Sequence, residues 1–166
     1  QTMDHIKRGE MLGPTWWNEG TASYIAEIAM LESFEDGTLK KVDAGGNRWP
    51  YDFKNNWKKN MEEGLSGMRA QCSGQGIKDL SHGNQCASQH GNAAFYTIGG
   101  WAVAYLYNEH GADAINKVFY ENLESSGWEG AFVKAFGMSS EAFYADFDKF
   151  LELTLDEQLA ILPQFN

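Results

Sequence analysis

From Ala93 to Glu109 apolar side chains fall on nearly every face of a helical projection, which predicts a buried central helix ended by His110-Gly111. Ahead of it, Tyr24, Ile25, Ile28 and Leu31 recur at spacings of three and four. They predict a helix that opens at Pro14-Thr15 and stops near Asp36-Gly37. Residues 37–50 carry three glycines and a proline, so a loop is expected there, with a second helix from Asp52 to about Glu63. The stretch 64–92 is rich in Gly, Ser, Gln and Asn and is expected to be a long polar surface loop. Beyond the central helix, Asp113 opens a segment whose Ile115, Val118, Phe119 and Leu123 share a stripe. A short helix follows from Trp128 to Phe136, ending at Gly137, and a last one capped by Ser139 or Ser140 carries Phe143, Phe147, Phe150 and Leu151. No convincing alternating strand interrupts these periods. The expectation is an all-α fold of five or six helices packed as one globular bundle, residues 1–166 forming a single helical domain.

Composition narrows the functional classes. Among 166 residues 43% are hydrophobic and 14% aromatic, enough apolar surface to offset the entropy of ordering the backbone. Thirteen Lys and Arg stand against 23 Asp and Glu, a formal charge of −10 that repels phosphate backbones and anionic lipid. Nucleic acid is therefore an unsuitable partner. The apolar run around Gly99–Leu106 is far shorter than the roughly 20 residues that a bilayer crossing takes, so no membrane span is expected. Cys72 and Cys86 both lie in the polar stretch. A bridge between them would close a loop of about 15 residues, worth ~3 kcal/mol in the chain-entropy model, and would indicate an extracytoplasmic setting. Two independent thiols are the alternative. His82 and His90 flank Cys86, so a Cys/His metal cluster that includes Cys72 is a further arrangement of the same residues.

The sharpest local motif is Trp16-Trp17-Asn18-Glu19-Gly20-Thr21-Ala22-Ser23-Tyr24. It resembles the second metal-binding helix of the gluzincin metallopeptidases, the superfamily of thermolysin and the aminopeptidase N group, in which a Trp-x-Asn-Glu-Gly-x-Ala motif completes a His-His-Glu zinc site. The resemblance implies that Glu19 is the third Zn2+ ligand and that Trp17, Asn18 and Gly20 border the substrate cleft. Tyr96-Thr97-Ile98-Gly99, followed by Trp101, Ala102, Tyr105 and Leu106, is similar to the Tyr-x-x-Gly opening of a helix in the same families. Tyr96 would then donate to the oxyanion of the tetrahedral intermediate. The ending Phe136-Gly137 with Ser140, Phe143 and Phe147 also looks like the close of these helical domains. Without the resemblance, Glu19 complements a helix dipole and Tyr96 is a core tyrosine with a satisfied hydroxyl.

One element of the family's chemistry is missing from residues 1–166. A gluzincin carries His-Glu-x-x-His on an upstream helix, which holds two imidazoles on one face and aims a glutamate at the metal-bound water. No such run occurs in this chain. Family members often have Gln three residues after the second His, so Gln1 reads as the last trace of that motif. The chain is accordingly expected to be the C-terminal half of a larger secreted or periplasmic metallopeptidase domain. It would be inactive alone, bind no zinc alone, and act on peptide or protein substrate only with the upstream segment. His5 is a polar helix-end residue and His110 complements a helix C-terminus. The competing reading is a non-catalytic extracellular helical module that binds peptide or glycan through its aromatic surplus and polar loop.

Overall fold

The computed structural model describes residues 13–39, 53–71, 76–79 and 93–163. Six α-helices are present among them: α1 (Thr15–Glu35), α2 (Phe53–Gln71), α3 (Ala93–His110), α4 (Tyr120–Phe136), α5 (Ser140–Phe150) and α6 (Leu155–Leu159). A 3-10 turn spans Ile77–Asp79, a π-helical stretch (Ala114–Phe119) leads into α4, and no strand occurs among the described residues. The architecture is the expected all-α one, compact and globular. No described helix is long and apolar enough to cross a membrane.

α1 and α3 form the centre. Gly20 of α1 lies so close to α3 that a β-carbon there would sit 2.2 Å from the Gly99 carbonyl oxygen, and one on Gly99 would sit 2.5 Å from the Trp16 carbonyl oxygen. The two backbones therefore touch, and only hydrogen fits between them. Further along, the Tyr24 ring meets Tyr107 at 5.4 Å. The contact register thus advances in the same direction on both helices, which run side by side in the same sense. Trp16, Tyr24, Ile98, Trp101 and Leu106 are fully buried in this seam.

α2 covers one side of the pair. Trp57 packs edge-on to Tyr24 and Trp101 at 5.4 and 5.2 Å, and Gly64 lies against Thr97. This helix continues past the Glu63 limit expected from composition and ends at Gln71. Tertiary contact accounts for the difference, because Met61 is fully buried and Gly64 brings its turn flush with α3. Packing of that kind outweighs the helix cost of about 1 kcal/mol for a glycine. The remainder of the polar stretch, Cys72 and Cys86 included, lies outside the described residues apart from 76–79.

The far side is closed by α4 and α5. Gly127 has φ 67° and ψ 177°, so the helical run from Tyr120 to Phe136 breaks into two rods, as the spacing predicts. Gly111 and Gly137 both take positive φ at the helix ends expected of them. The Ser139 side chain caps α5 by accepting from the Ala142 N–H at 3.2 Å. α6 has no counterpart in the sequence expectation. It starts with a reciprocal capping box, in which Thr154 Oγ1 accepts from the Glu157 N–H and the Glu157 carboxylate accepts from the Thr154 N–H.

Candidate functional site

The two adjacent tryptophans decide how the start of α1 is held. Trp16 stacks on Phe143 of α5 at 5.4 Å, and its Nε1 donates to the Tyr144 hydroxyl at 3.3 Å. Trp17 turns toward α4 and the π stretch, meeting Phe119 at 4.5 Å and Phe132 and Phe136 at 5.9 and 6.0 Å. Neighbouring positions on a helix differ by about 100°, so each ring enters a different part of the core. Together they fix both the depth and the rotation of α1. With that rotation Gly20 faces α3, Asn18 is exposed, and Glu19, Ser23 and Glu27 form a half-buried polar margin.

Both carboxylates of that margin are engaged. The Tyr96 phenol, from the first turns of α3, lies near enough to the Glu19 carboxylate to be raised by it. The Trp57 Nε1 of α2 donates to Glu27. The first pair unites the two residues singled out by the family resemblance, from helices far apart in sequence, and the Gly20–Gly99 contact is what brings them within reach. Tyr96 is 43% exposed, so the pair lies at the protein surface with room for a ligand to approach.

The hydrogen bond to Glu19, then the carboxylate's negative charge, raises the Tyr96 phenol above its ordinary value of 10.0. The phenol is consequently neutral, and able to donate, throughout neutral and mildly alkaline pH. The sign follows from linkage. The folded state holds the phenolic proton more tightly than the unfolded chain, so the bond's contribution is complete below the ordinary tyrosine range and is lost as pH rises through the raised value. Glu19→Gln is expected to bring the Tyr96 titration back toward 10.0, read by NMR of ring-labelled tyrosine across an alkaline pH series. An unchanged Tyr96 curve in that variant would show that the two side chains do not share a proton.

The other expected site residues are placed differently. Trp17 is 2% exposed and its ring belongs to the aromatic core, so it lines no cleft. Gly20 is covered by the Gly99 backbone, so the close approach it allows is taken by the neighbouring helix α3. Asn18 is exposed, and its Nδ2 donates to the Pro14 carbonyl at 3.4 Å. His110 ends α3, half-buried, with its ring 5.3 Å from Phe136. Gln1, His5, His82 and His90 lie outside the described residues.

A catalytic zinc site takes three protein ligands and an open position. Among the described residues no group of three or more His, Cys, Asp or Glu converges on one point. Glu19 can give one oxygen ligand, so the donor set fits zinc only if two further ligands come from outside the described residues. The Trp57–Glu27 pair was not anticipated from the sequence, although Glu19 and Glu27 at i and i+8 do fall on one helix face. Comparison with known protein families, with curated proteins and with solved structures finds no match for this chain.

Proposed function

We propose that this chain is the C-terminal helical part of a secreted or periplasmic gluzincin-like zinc metallopeptidase that hydrolyses peptide bonds. The observation that carries the reading is the nearness of the Tyr96 phenol to the Glu19 carboxylate beside the Gly20–Gly99 contact. The motif resemblance requires a carboxylate and a phenol at one site, and two separate helices supply them side by side.

In this reading Glu19 is a metal ligand, and two histidines from an upstream segment complete the set. When bound, the zinc supplies Lewis acidity and an activated water. The α1–α3 seam holds the Glu19 carboxylate in place through the Gly20–Gly99 contact and the two tryptophan anchors. The neutral Tyr96 hydroxyl, released from Glu19 once the carboxylate's charge is satisfied elsewhere, donates to the developing oxyanion of the substrate carbonyl. Its raised affinity for the proton suits a donor that must not ionise.

The test uses the protein with its upstream segment. Purified with zinc, it is expected to cleave a denatured protein or fluorogenic peptide, and to lose that activity with a chelator. Tyr96→Phe is expected to lower kcat by roughly a hundredfold to a thousandfold with a smaller change in KM, the size seen for removal of one oxyanion donor. Glu19→Gln is expected to remove stoichiometric zinc. The reading is overturned if the protein carries no His-Glu-x-x-His ahead of residue 1 and binds no zinc, or if residues 1–166 alone show chelator-sensitive hydrolysis. The first of those results would favour the non-catalytic binding module.

A further inference from the structure

The end of α1 carries a chemistry unrelated to its start. Asp36-Gly37 is the chain's only Asp-Gly pair, and no Asn-Gly pair occurs. A glycine after an aspartate leaves its backbone nitrogen open to react with the neighbouring carboxyl group, because no β-carbon stands beside that nitrogen. Asp36 is the C-cap of α1, and Asp36, Gly37 and Thr38 are all exposed. Gly37 has φ 80°, and among the described residues no atom lies within 4 Å of the place a β-carbon would take. No packing on that residue therefore resists a change of backbone conformation.

Two hydrogen bonds hold the turn closed. The Thr38 N–H donates to Asp36 Oδ1 at 2.8 Å, and the Leu39 N–H donates to the Ser33 carbonyl at 2.8 Å. The first is the side-chain turn that aspartate commonly makes two residues on. With ψ −6° at Asp36, the Gly37 nitrogen eclipses the nitrogen of Asp36 itself. The Asp36 β-carbon stands a third of a turn away, so the Gly37 nitrogen and Asp36 Cγ meet only when the turn opens. Both bonds lie among exposed residues at a helix end, where local opening costs little.

We propose that Asp36-Gly37 is a site of spontaneous succinimide formation and conversion to isoaspartate. The Gly37 nitrogen bonds to Cγ of the Asp36 carboxylic acid, whose hydroxyl leaves with the amide proton as water. A second water then adds to one of the two imide carbonyls and breaks its bond to nitrogen. Opening at Cγ restores aspartate. Opening at the main-chain carbonyl of Asp36 leaves the chain running through Cβ and Cγ, with the α-carboxyl group as the side branch. One water is released and one is taken up, so the mass is unchanged and no oxidant or cofactor takes part. The extra main-chain carbon moves Leu39 out of register with Ser33, and the last turn of α1 frays toward Phe34. Glu19 lies near the opposite end of the same helix, so this inference stands or falls independently of the proposed activity.

The test is to hold the chain at neutral pH and body temperature for several weeks and then map its peptides. Electron-transfer fragmentation cleaves the Cα–Cβ bond of isoaspartate and so tells it from aspartate of equal mass. A second peptide of unchanged mass, with isoaspartate at residue 36, is expected to accumulate with time, and faster in a chain unfolded by guanidinium. Asp36→Glu would need a ring one member larger and is expected to lose the product. The side chain is exposed, and circular dichroism of that variant is expected to match the parent. The proposal is overturned if the folded chain forms no isoaspartate at residue 36, whether or not the unfolded chain does, or if other aspartates convert as fast.

Discussion

Gly20→Ala is expected to lower the melting temperature by roughly 6–12 °C, from a loss of about 3 kcal/mol, the upper part of the range for overpacked interiors. The added methyl would meet the Gly99 carbonyl oxygen at 2.2 Å and its carbon at 2.3 Å. Both are backbone atoms, which cannot swing aside as a side chain can, so the helices have to separate along the seam. Gly100→Ala makes a useful comparison, because its methyl meets only the outer edge of the Trp57 ring at 3.0 Å and a small tilt relieves it. Thermal unfolding followed by circular dichroism ranks the two. Separation of α1 from α3 also draws Tyr96 away from Glu19, so Gly20→Ala should shift the Tyr96 titration toward its ordinary value without altering either residue. A Gly20→Ala protein that melts within about 2 °C of the parent, where a loss of 1 kcal/mol moves a chain of this size by roughly 2–4 °C, would mean that the seam is looser than described.

Trp16→Ala is expected to destabilise the fold by about 3–5 kcal/mol, the usual cost of deleting a large buried aromatic ring. Against a typical total of about 5–15 kcal/mol, that removes a large share of the stability. Trp16 is fully buried, stacks on Phe143, lies edge-on to Trp17 and Trp128, and donates to Tyr144. Trp16→Phe retains an aromatic ring beside Phe143 and loses the indole N–H, so a smaller cost of about 1–2 kcal/mol is expected, mostly from the lost hydrogen bond and reduced volume. Urea titration of the two variants separates the contributions. A Trp16→Ala loss below about 1 kcal/mol would contradict the burial described for this ring.

How far the sequence could be read depends on the element. α1, α3 and α5 were readable because their apolar residues repeat over several turns and their ends carry Pro14, Gly111 and Ser139. The break at Gly127 was readable too, since Trp128 to Phe136 reads as a helix separate from the stripe that runs to Leu123. The end of α2 was not, since Gly64, Ser66 and Gly67 look like loop composition, and the packing of Met61 and Gly64 against the rest of the fold has no sign in the local sequence. α6 was missed for a different reason. A single turn has no repeat to count, and the local sign was Thr154 followed by Glu157, the capping box itself.

The site divides along similar lines. The motif pointed to Glu19 and Tyr96, but nothing in their spacing places one beside the other, because their meeting depends on glycines that let two backbones touch. Trp17 illustrates the opposite failure. The resemblance implied a cleft shared with Glu19, whereas a step of two residues is about 200° around a helix and turns its ring into the core.

The α1–α3 seam also bears on the order in which the molecule assembles. α4 and α5 are neighbours along the chain and can meet after closing a short loop, while α1 has to find α3 across all of α2 and the residues that follow it. Closing a long loop costs entropy before any contact repays it, and such distant pairings slow folding. The backbones touch at Gly20 and Gly99 only when the two helices are in register. Docking of α1 is therefore expected to be a late step, and the place where Glu19 and Tyr96 meet is among the last parts of the protein to form.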